Sequence, residues 1–171
     1  MLDLSSLRLE KAGHSEIQAI CDLVNLTYRR PIGWTTEVAI IQGNRTNPQE
    51  IETALYKPDA SFLVMRQQDQ VVACIYIAKE DAGAFVGFFS VHPDWQKKGL
   101  GKYLLAQAEL HARDTLGINK LLMFVISQRT ELIAFYQRRG YRLTGQTGIC
   151  PHYLGKAIVT GLTIDYLEKT I

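Results

Sequence analysis

An apolar strand, a proline turn, a basic glycine loop and the first turns of an amphipathic helix follow one another over AFVGFFSVHPDWQKKGLGKYLL, residues 84–105. A second apolar run, LLMFVI at residues 121–126, follows after a helix of about a dozen residues. A strand, a helix and a further strand of this kind make a parallel β-α-β crossover, and the continuous apolarity of both runs predicts strands buried on both faces. Leu100, Leu104, Ala108 and Ala112 recur every fourth residue, so that side of the helix packs on the sheet while Lys102, Gln107, Glu109 and Arg113 turn elsewhere. The helix is expected to end near Gly117.

The loop between strand and helix is built to hold an anion. Gly99 and Gly101 carry no Cβ, so the chain can turn sharply and its amides can crowd a phosphate. The following helix adds unpaired N–H groups and the positive end of its dipole. Two common phosphate loops do not fit. A nucleoside-triphosphate loop needs two glycines with four residues between them and then Lys-Ser/Thr, whereas Lys102 is followed by Tyr103. A dinucleotide fingerprint needs glycine or alanine where Leu104 stands, with an acidic residue roughly 20 positions on.

The pattern that fits is Gln96-Lys97-Lys98-Gly99-Leu100-Gly101-Lys102, after Val91-His92-Pro93 at a strand end. A second block, Arg129-Thr130-Glu131-Leu132-Ile133-Ala134-Phe135-Tyr136-Gln137-Arg138-Arg139-Gly140-Tyr141, reads as a helix closing on a tyrosine and a glycine-aromatic turn. Together these blocks resemble the GNAT acetyltransferase superfamily, well over residues 61–145 and in outline over the first sixty. The resemblance implies an α/β (α+β) GNAT fold: one domain over residues 1–171, with a mixed, mostly antiparallel sheet of about six to seven strands and helices on both faces.

By the same resemblance, the 96–102 loop would bind the pyrophosphate of acetyl-coenzyme A as cosubstrate. Phe89 and Val91, on a bulged strand, would hold thioester and pantetheine through backbone groups. Tyr136 would be the catalytic general acid. The family often has asparagine where this chain has Arg129, so a pantetheine contact from asparagine does not carry over; Arg129 near pantetheine and Arg129 as a surface residue stay open. The family's strand carboxylate is also missing, with Phe85 about in its place, and the general base is left unassigned. His92 at the strand exit and the turn residues Glu80 and Asp81 do not replace it.

Transfer to an amine poses two proton problems. A lysine-like amine of pKa ~10.4 lies about 3.4 units above neutral pH, so its nucleophilic form costs roughly 4.6 kcal/mol unless the site assists. The departing thiolate, comparable to cysteine, needs a donor, and a tyrosine hydroxyl within hydrogen-bond reach can supply one. Trp34 and Glu37 fall where the family builds its acceptor pocket, though Trp34 beside a proline turn suits local packing equally well. The expected acceptor is a primary amine of a small molecule or peptide. A non-catalytic acyl-coenzyme A binding module is the alternative.

Composition excludes several other classes. With 47% hydrophobic and 21% charged residues the chain is ordinary globular material, and a net charge of +2 argues against a nucleic-acid partner. Cys21, Cys74 and Cys150 are odd in number and far apart, which suits a reducing, cytoplasmic setting without disulfides, and no zinc-ligand spacing occurs. Cys150-Pro151-His152 could pair a nucleophile with a base, but a loop cysteine is the simpler reading. With no zinc-ligand spacing no bound metal is expected, and no stretch approaches ~18 apolar residues, so no membrane is expected; a homodimer is one assembly the fold allows.

Along the rest of the chain, Ser15–Gln18 reads as a capping box opening a helix over 15–29, with a further helix from about Thr36 and another after the Asn47-Pro48 cap. SFLVMR and VVACIYIA form a hairpin around Gln67–Gln70, and YRLTGQT and AIVTGLTIDYL supply two last strands.

Overall fold

The computed structural model describes residues 3–171. In chain order it contains β1 (Arg8–Lys11), α1 (Ile17–Arg29), β2 (Ile41–Gln42), α2 (Pro48–Leu55), β3 (Ala60–Gln67), β4 (Gln70–Glu80), β5 (Gly83–Val91), α3 (Leu100–Asp114), β6 (Lys120–Ile126), α4 (Thr130–Gln137), β7 (Arg142–Ile149), β8 (Lys156–Ala157) and β9 (Thr163–Thr170). Seven strands form one sheet in the order β1-β3-β4-β5-β6-β9-β7. Its pairs are antiparallel except β5 and β6, which run parallel as the crossover requires. β2 and β8 make a separate two-stranded ladder.

Both faces are covered. On one, Leu100, Leu104, Leu105, Ala108 and Ala112 of α3 join Ile133 and Tyr136 of α4 over Leu63, Ile75 and Leu121. On the other, Ile17, Ile20, Cys21 and Val24 of α1 and Ile51 of α2 pack on Phe62, Val64, Cys74 and Tyr76. The Asn47 cap forms as expected, its Oδ1 accepting from the Glu50 amide at 2.9 Å.

Three local expectations are corrected, and one short strand is added. The capping box lies two residues earlier than expected, where the Gly13 amide donates to Glu16 Oε2 at 2.8 Å and a short 3₁₀ turn leads into α1. No helix starts at Thr36: the amides of Ile40 and Ile41 both reach the Glu37 carbonyl, and the chain goes straight into β2. A short polar edge strand, β1, precedes the helical region. The run from Ala157 divides into β8 and β9, with Gly161 at a φ of 75° between them.

β5 departs from the expectation of burial on both faces in the way that makes the site. Opposite the step from Cys74 to Tyr76, β5 spends the extra residue of a bulge, pairing Ser90 and then Gly87, with Phe88 at a φ of 50°. A bulge reverses the in-out alternation beyond it. Ala84 and Val86 therefore face the α3 core before it, while Phe89 and Val91 face that core after it and Phe88 goes to the α1 core. β5 and β6 pair only at Ala84↔Leu121 and Phe85↔Leu122, then diverge. The gap between them is the candidate functional region.

Candidate functional site

The gap opens into a cavity of about 400 Å³, walled by Phe89, Ser90 and Val91 of β5, Gly99, Gly101 and Lys102 at the start of α3, and Leu132, Phe135 and Tyr136 of α4. Gly99 caps α3 at a φ of 85° and Lys97 sits at 59°, so the loop turns as a left-handed pair that leaves the first helical amides uncovered. A Cβ placed on Gly101 would meet Phe89 Cζ at 3.6 Å, Val91 Cγ2 at 3.7 Å and Phe135 Cζ at 3.8 Å, which is ordinary contact. Alanine therefore fits at Gly101, but a branched side chain must grow into the cavity.

Lys97, Lys102, Arg138 and Arg139 put four cations on this cavity. Arg139 lies 3.5 Å over the Phe135 ring and donates from Nη1 to the Phe135 carbonyl at 2.7 Å, while its buried Nε has no partner. A phosphate-bearing ligand fits this donor set: backbone amides at a helix start, a cationic rim and an unused guanidinium N–H. Coenzyme A pyrophosphate would be held by the Gly99–Lys102 amides with Lys97, Lys102, Arg138 and Arg139 around them.

Gln96 has a different part from its neighbours. Its Nε2 donates to the Val91 carbonyl at 2.9 Å and its Oε1 accepts from the Trp34 amide at 2.5 Å. Gly33, at a φ of 95°, makes that approach possible, since a Cβ there would stand 2.8 Å from Gln96 Oε1. The side chain thus ties the glycine loop to the 33–35 segment. Lys98 and Leu100 do not line the cavity: the Lys98 ammonium bonds the Asp94 carbonyl at 2.6 Å, and Leu100 is fully buried in the core.

Tyr136 is 6% exposed, ringed by Phe89, Phe135 and Tyr141 at centroid distances of 6.3, 5.4 and 5.7 Å. Its hydroxyl has no hydrogen-bond partner among the described residues. Burial, with a smaller contribution from Tyr28, pushes its pKa far above the ordinary tyrosine value. It stays an O–H donor at any working pH.

Arg129 is not a surface residue. It is 6% exposed, and its Nη1 donates to Glu37 Oε1 at 3.0 Å, while Arg29 Nε donates to Glu37 Oε2 at 3.1 Å. Glu37 itself is 4% exposed, so one buried carboxylate joins two guanidinium groups, one from the end of α1 and one from the residue that opens α4. Arg129 Nη2 also reaches Thr35 Oγ1 at 3.3 Å. Trp34 packs on Phe135 at 5.7 Å and joins the cavity wall. Phe85, about where the resemblance would place a strand carboxylate, has its ring 5.8 Å from that of Phe124; Gly87 gives it room, since a Cβ there would meet the ring at 2.7 Å.

A second, smaller cavity of about 60 Å³ lies between the diverging strands on the α1 side, walled by Glu37, Arg45, Phe88 and Phe124. It shares Tyr28, Phe89, Arg129, Leu132 and Tyr136 with the first. Sequence reasoning found the glycine loop, Tyr136, Trp34 and Glu37. It missed Tyr28, Thr35 and Arg45, which no local pattern marks, because they meet the site only through the fold.

The acetyltransferase (GNAT) family model matches residues 18–141, which include both cavities' shared walls. The chain belongs to the GNAT acetyltransferase family. An uncharacterized protein, YxbD of Bacillus subtilis (strain 168), is 32% identical over 109 residues, 61% of this chain and 66% of that protein, so the chain spans somewhat under two thirds of that relative. Among solved structures, the ribosomal-protein-S18-alanine N-acetyltransferase of Escherichia coli superposes with a TM-score of 0.72 at 15% identity, covering 96% of this chain and 94% of that one. A GNAT acetyltransferase from Elizabethkingia anophelis, solved with acetyl-CoA bound, gives 0.67 at 14% identity, covering 98% and 99%. At such identities the structural likeness bears on the GNAT fold. Among the described residues no helix is long and apolar enough to cross a membrane, and no group of three His, Cys, Asp or Glu is placed to hold a metal.

The glycine loop yields a ranking. Amide hydrogen bonds to a charged acceptor contribute ~1.5–3 kcal/mol each, against roughly 0–1 for an exposed lysine pair. Gly101→Val should therefore weaken coenzyme A binding more than Lys97→Ala, while Gly101→Ala leaves folding intact. Calorimetric titration with coenzyme A checks this, and equal losses for Gly101→Val and Lys97→Ala would count against backbone dominance.

Proposed function

We propose that this chain moves acetyl from acetyl-CoA to a primary amine of a small molecule or peptide, directly, in a ternary complex. The observation that carries this reading is the meeting of two cavities at the β5–β6 divergence, a larger one rimmed for phosphate and a smaller one on the α1 side, with Tyr136 in the walls of both. Tyr136 presents its O–H to the departing sulfur as the C–S bond breaks and the C–N bond forms. The bulge at Phe88–Phe89 aims the β5 backbone beyond it toward the same cavity.

The amine must enter neutral, and the walls favour that without a dedicated base. Both oxygens of Glu37 are taken by Arg29 and Arg129, so an entering ammonium would lose water and find no free carboxylate there. Desolvation then favours the uncharged amine, whose proton goes to bulk solvent. Release of coenzyme A from acetyl-CoA across a panel of amines tests the reading, with acceptor-dependent release expected.

The filled carboxylate position at Phe85 favours a second reading, a binding module without turnover. Tight acetyl-CoA binding with no acceptor-dependent release from any amine would establish it instead.

A further inference from the structure

Arg45 and Arg129 wall the smaller cavity and Arg29 joins them through Glu37, and the hydrogen bonds of these three guanidinium groups do not balance. Arg29 is satisfied by Glu37, the Gly43 carbonyl at 2.8 Å and the Leu154 carbonyl. Arg129 spends Nη1 on Glu37 and Nη2 on Thr35, but its buried Nε has no partner among the described residues. Arg45, 9% exposed, makes no side-chain hydrogen bond among the described residues, and its Nη1 is a buried orphan. Its nearest carboxylate is Glu50 Oε1 at 3.7 Å, an ion-pair distance too long for a hydrogen bond, while the other oxygen of Glu50, Oε2, accepts from Thr46 Oγ1 at 2.7 Å.

Instead, the Arg45 guanidinium lies over two rings, 4.9 Å from the Phe88 centroid and 5.7 Å from that of Tyr28, and the Arg129 guanidinium also lies 5.7 Å from the Tyr28 centroid. Three cations against Glu37 and Glu50 leave one positive charge uncompensated in a largely dry region. A buried N–H with no acceptor is costly, and a buried cation more so. Both orphan-bearing side chains wall the 60 Å³ cavity, which has room for a group of a few atoms rather than a whole acceptor.

We propose that Arg45 and Arg129 form an anion subsite for the acceptor, and that the amine acetylated here belongs to a small molecule carrying a carboxylate. The carboxylate enters the smaller cavity, takes the unused guanidinium N–H donors and cancels the surplus charge. Its amine is then left beside Tyr28, Phe89 and Tyr136, where the two cavities join. This rests on the acetyl-transfer reading above for the reaction, but the subsite itself can be read by binding alone.

Matched acceptors test it: an amino acid, the same compound as its carboxamide, and its decarboxylated amine, each assayed for coenzyme A release and, separately, for binding by calorimetry. The carboxylate form is expected to lead in kcat/KM and in affinity by roughly ten- to a hundredfold. Arg45→Met keeps the bulk without the charge and should erase that preference, while Arg45→Lys keeps part of it. The melting temperature of Arg45→Met should hold or rise, because an uncompensated charge has gone; a fall would mark Arg45 as a packing residue held by Tyr28 and Phe88. Equal use of all three acceptors, or an unchanged preference in Arg45→Met, overturns the proposal. If no amine supports release, the acetyl-transfer reading fails, and carboxylate binding lost in Arg45→Met still decides the subsite.

Discussion

Tyr136→Phe is expected to lower acetyl-transfer turnover by roughly 10²- to 10³-fold, the usual loss when one donor to a developing negative charge is removed, with acetyl-CoA affinity nearly unchanged. The hydroxyl bonds no described residue, so its removal breaks no hydrogen bond and leaves the ring contacts with Phe89, Phe135 and Tyr141 in place. The variant should therefore fold and bind normally, which isolates the chemical step. Burial holds the hydroxyl protonated well past the ordinary tyrosine range. Turnover of the natural protein should then rise with pH as the amine loses its proton, with no alkaline fall from Tyr136. Steady-state kinetics from pH 6 to pH 10, with calorimetric titration of acetyl-CoA, read both quantities; an unchanged turnover in Tyr136→Phe would remove the residue from the mechanism.

What could be read from the sequence was whatever is enforced locally. The β5–loop–α3 unit is legible because its apolar strand, two glycines and four-residue apolar repeat each act over a few positions, and the structure has the parallel crossover they imply. The helix ending at Tyr136 is legible for the same reason. β1 is not, because Arg-Leu-Glu-Lys at a sheet edge shows little apolar alternation and is fixed by pairing with β3. The segment from Thr36 looked helical but is held by the Tyr28 carbonyl, Arg29 and Arg129, none of which is a local influence. The burial of Arg129 could not be inferred either. A guanidinium is kept out of water only by a compensating carboxylate, and that carboxylate lies 92 residues away in sequence.

That carboxylate carries the largest stability prediction. Glu37→Gln keeps the shape of the side chain but leaves Arg29 and Arg129 without their shared counter-ion, and turns an amide N–H₂ toward guanidinium donors. The side chains of Glu37, Arg29 and Arg129 are only 6–7% exposed, so water cannot replace what is lost. Breaking a buried pair in this way costs about 3–5 kcal/mol. Set against a total stability of roughly 5–15 kcal/mol, that is a large share. With about 2–4 °C lost per kcal/mol in a chain of 171 residues, the melting temperature should fall by roughly 6–20 °C. The double variant Glu37→Gln/Arg129→Met should recover part of the loss, because one of the two stranded charges is then gone. Urea unfolding of the natural protein, both single variants and the double variant gives the coupling directly. A loss below about 1 kcal/mol in Glu37→Gln is what a solvated surface pair would give, and it would mean that water reaches the triad. In that case the surplus charge on the acceptor side would be screened as well, so the melting curves and the carboxylate preference should stand or fall together.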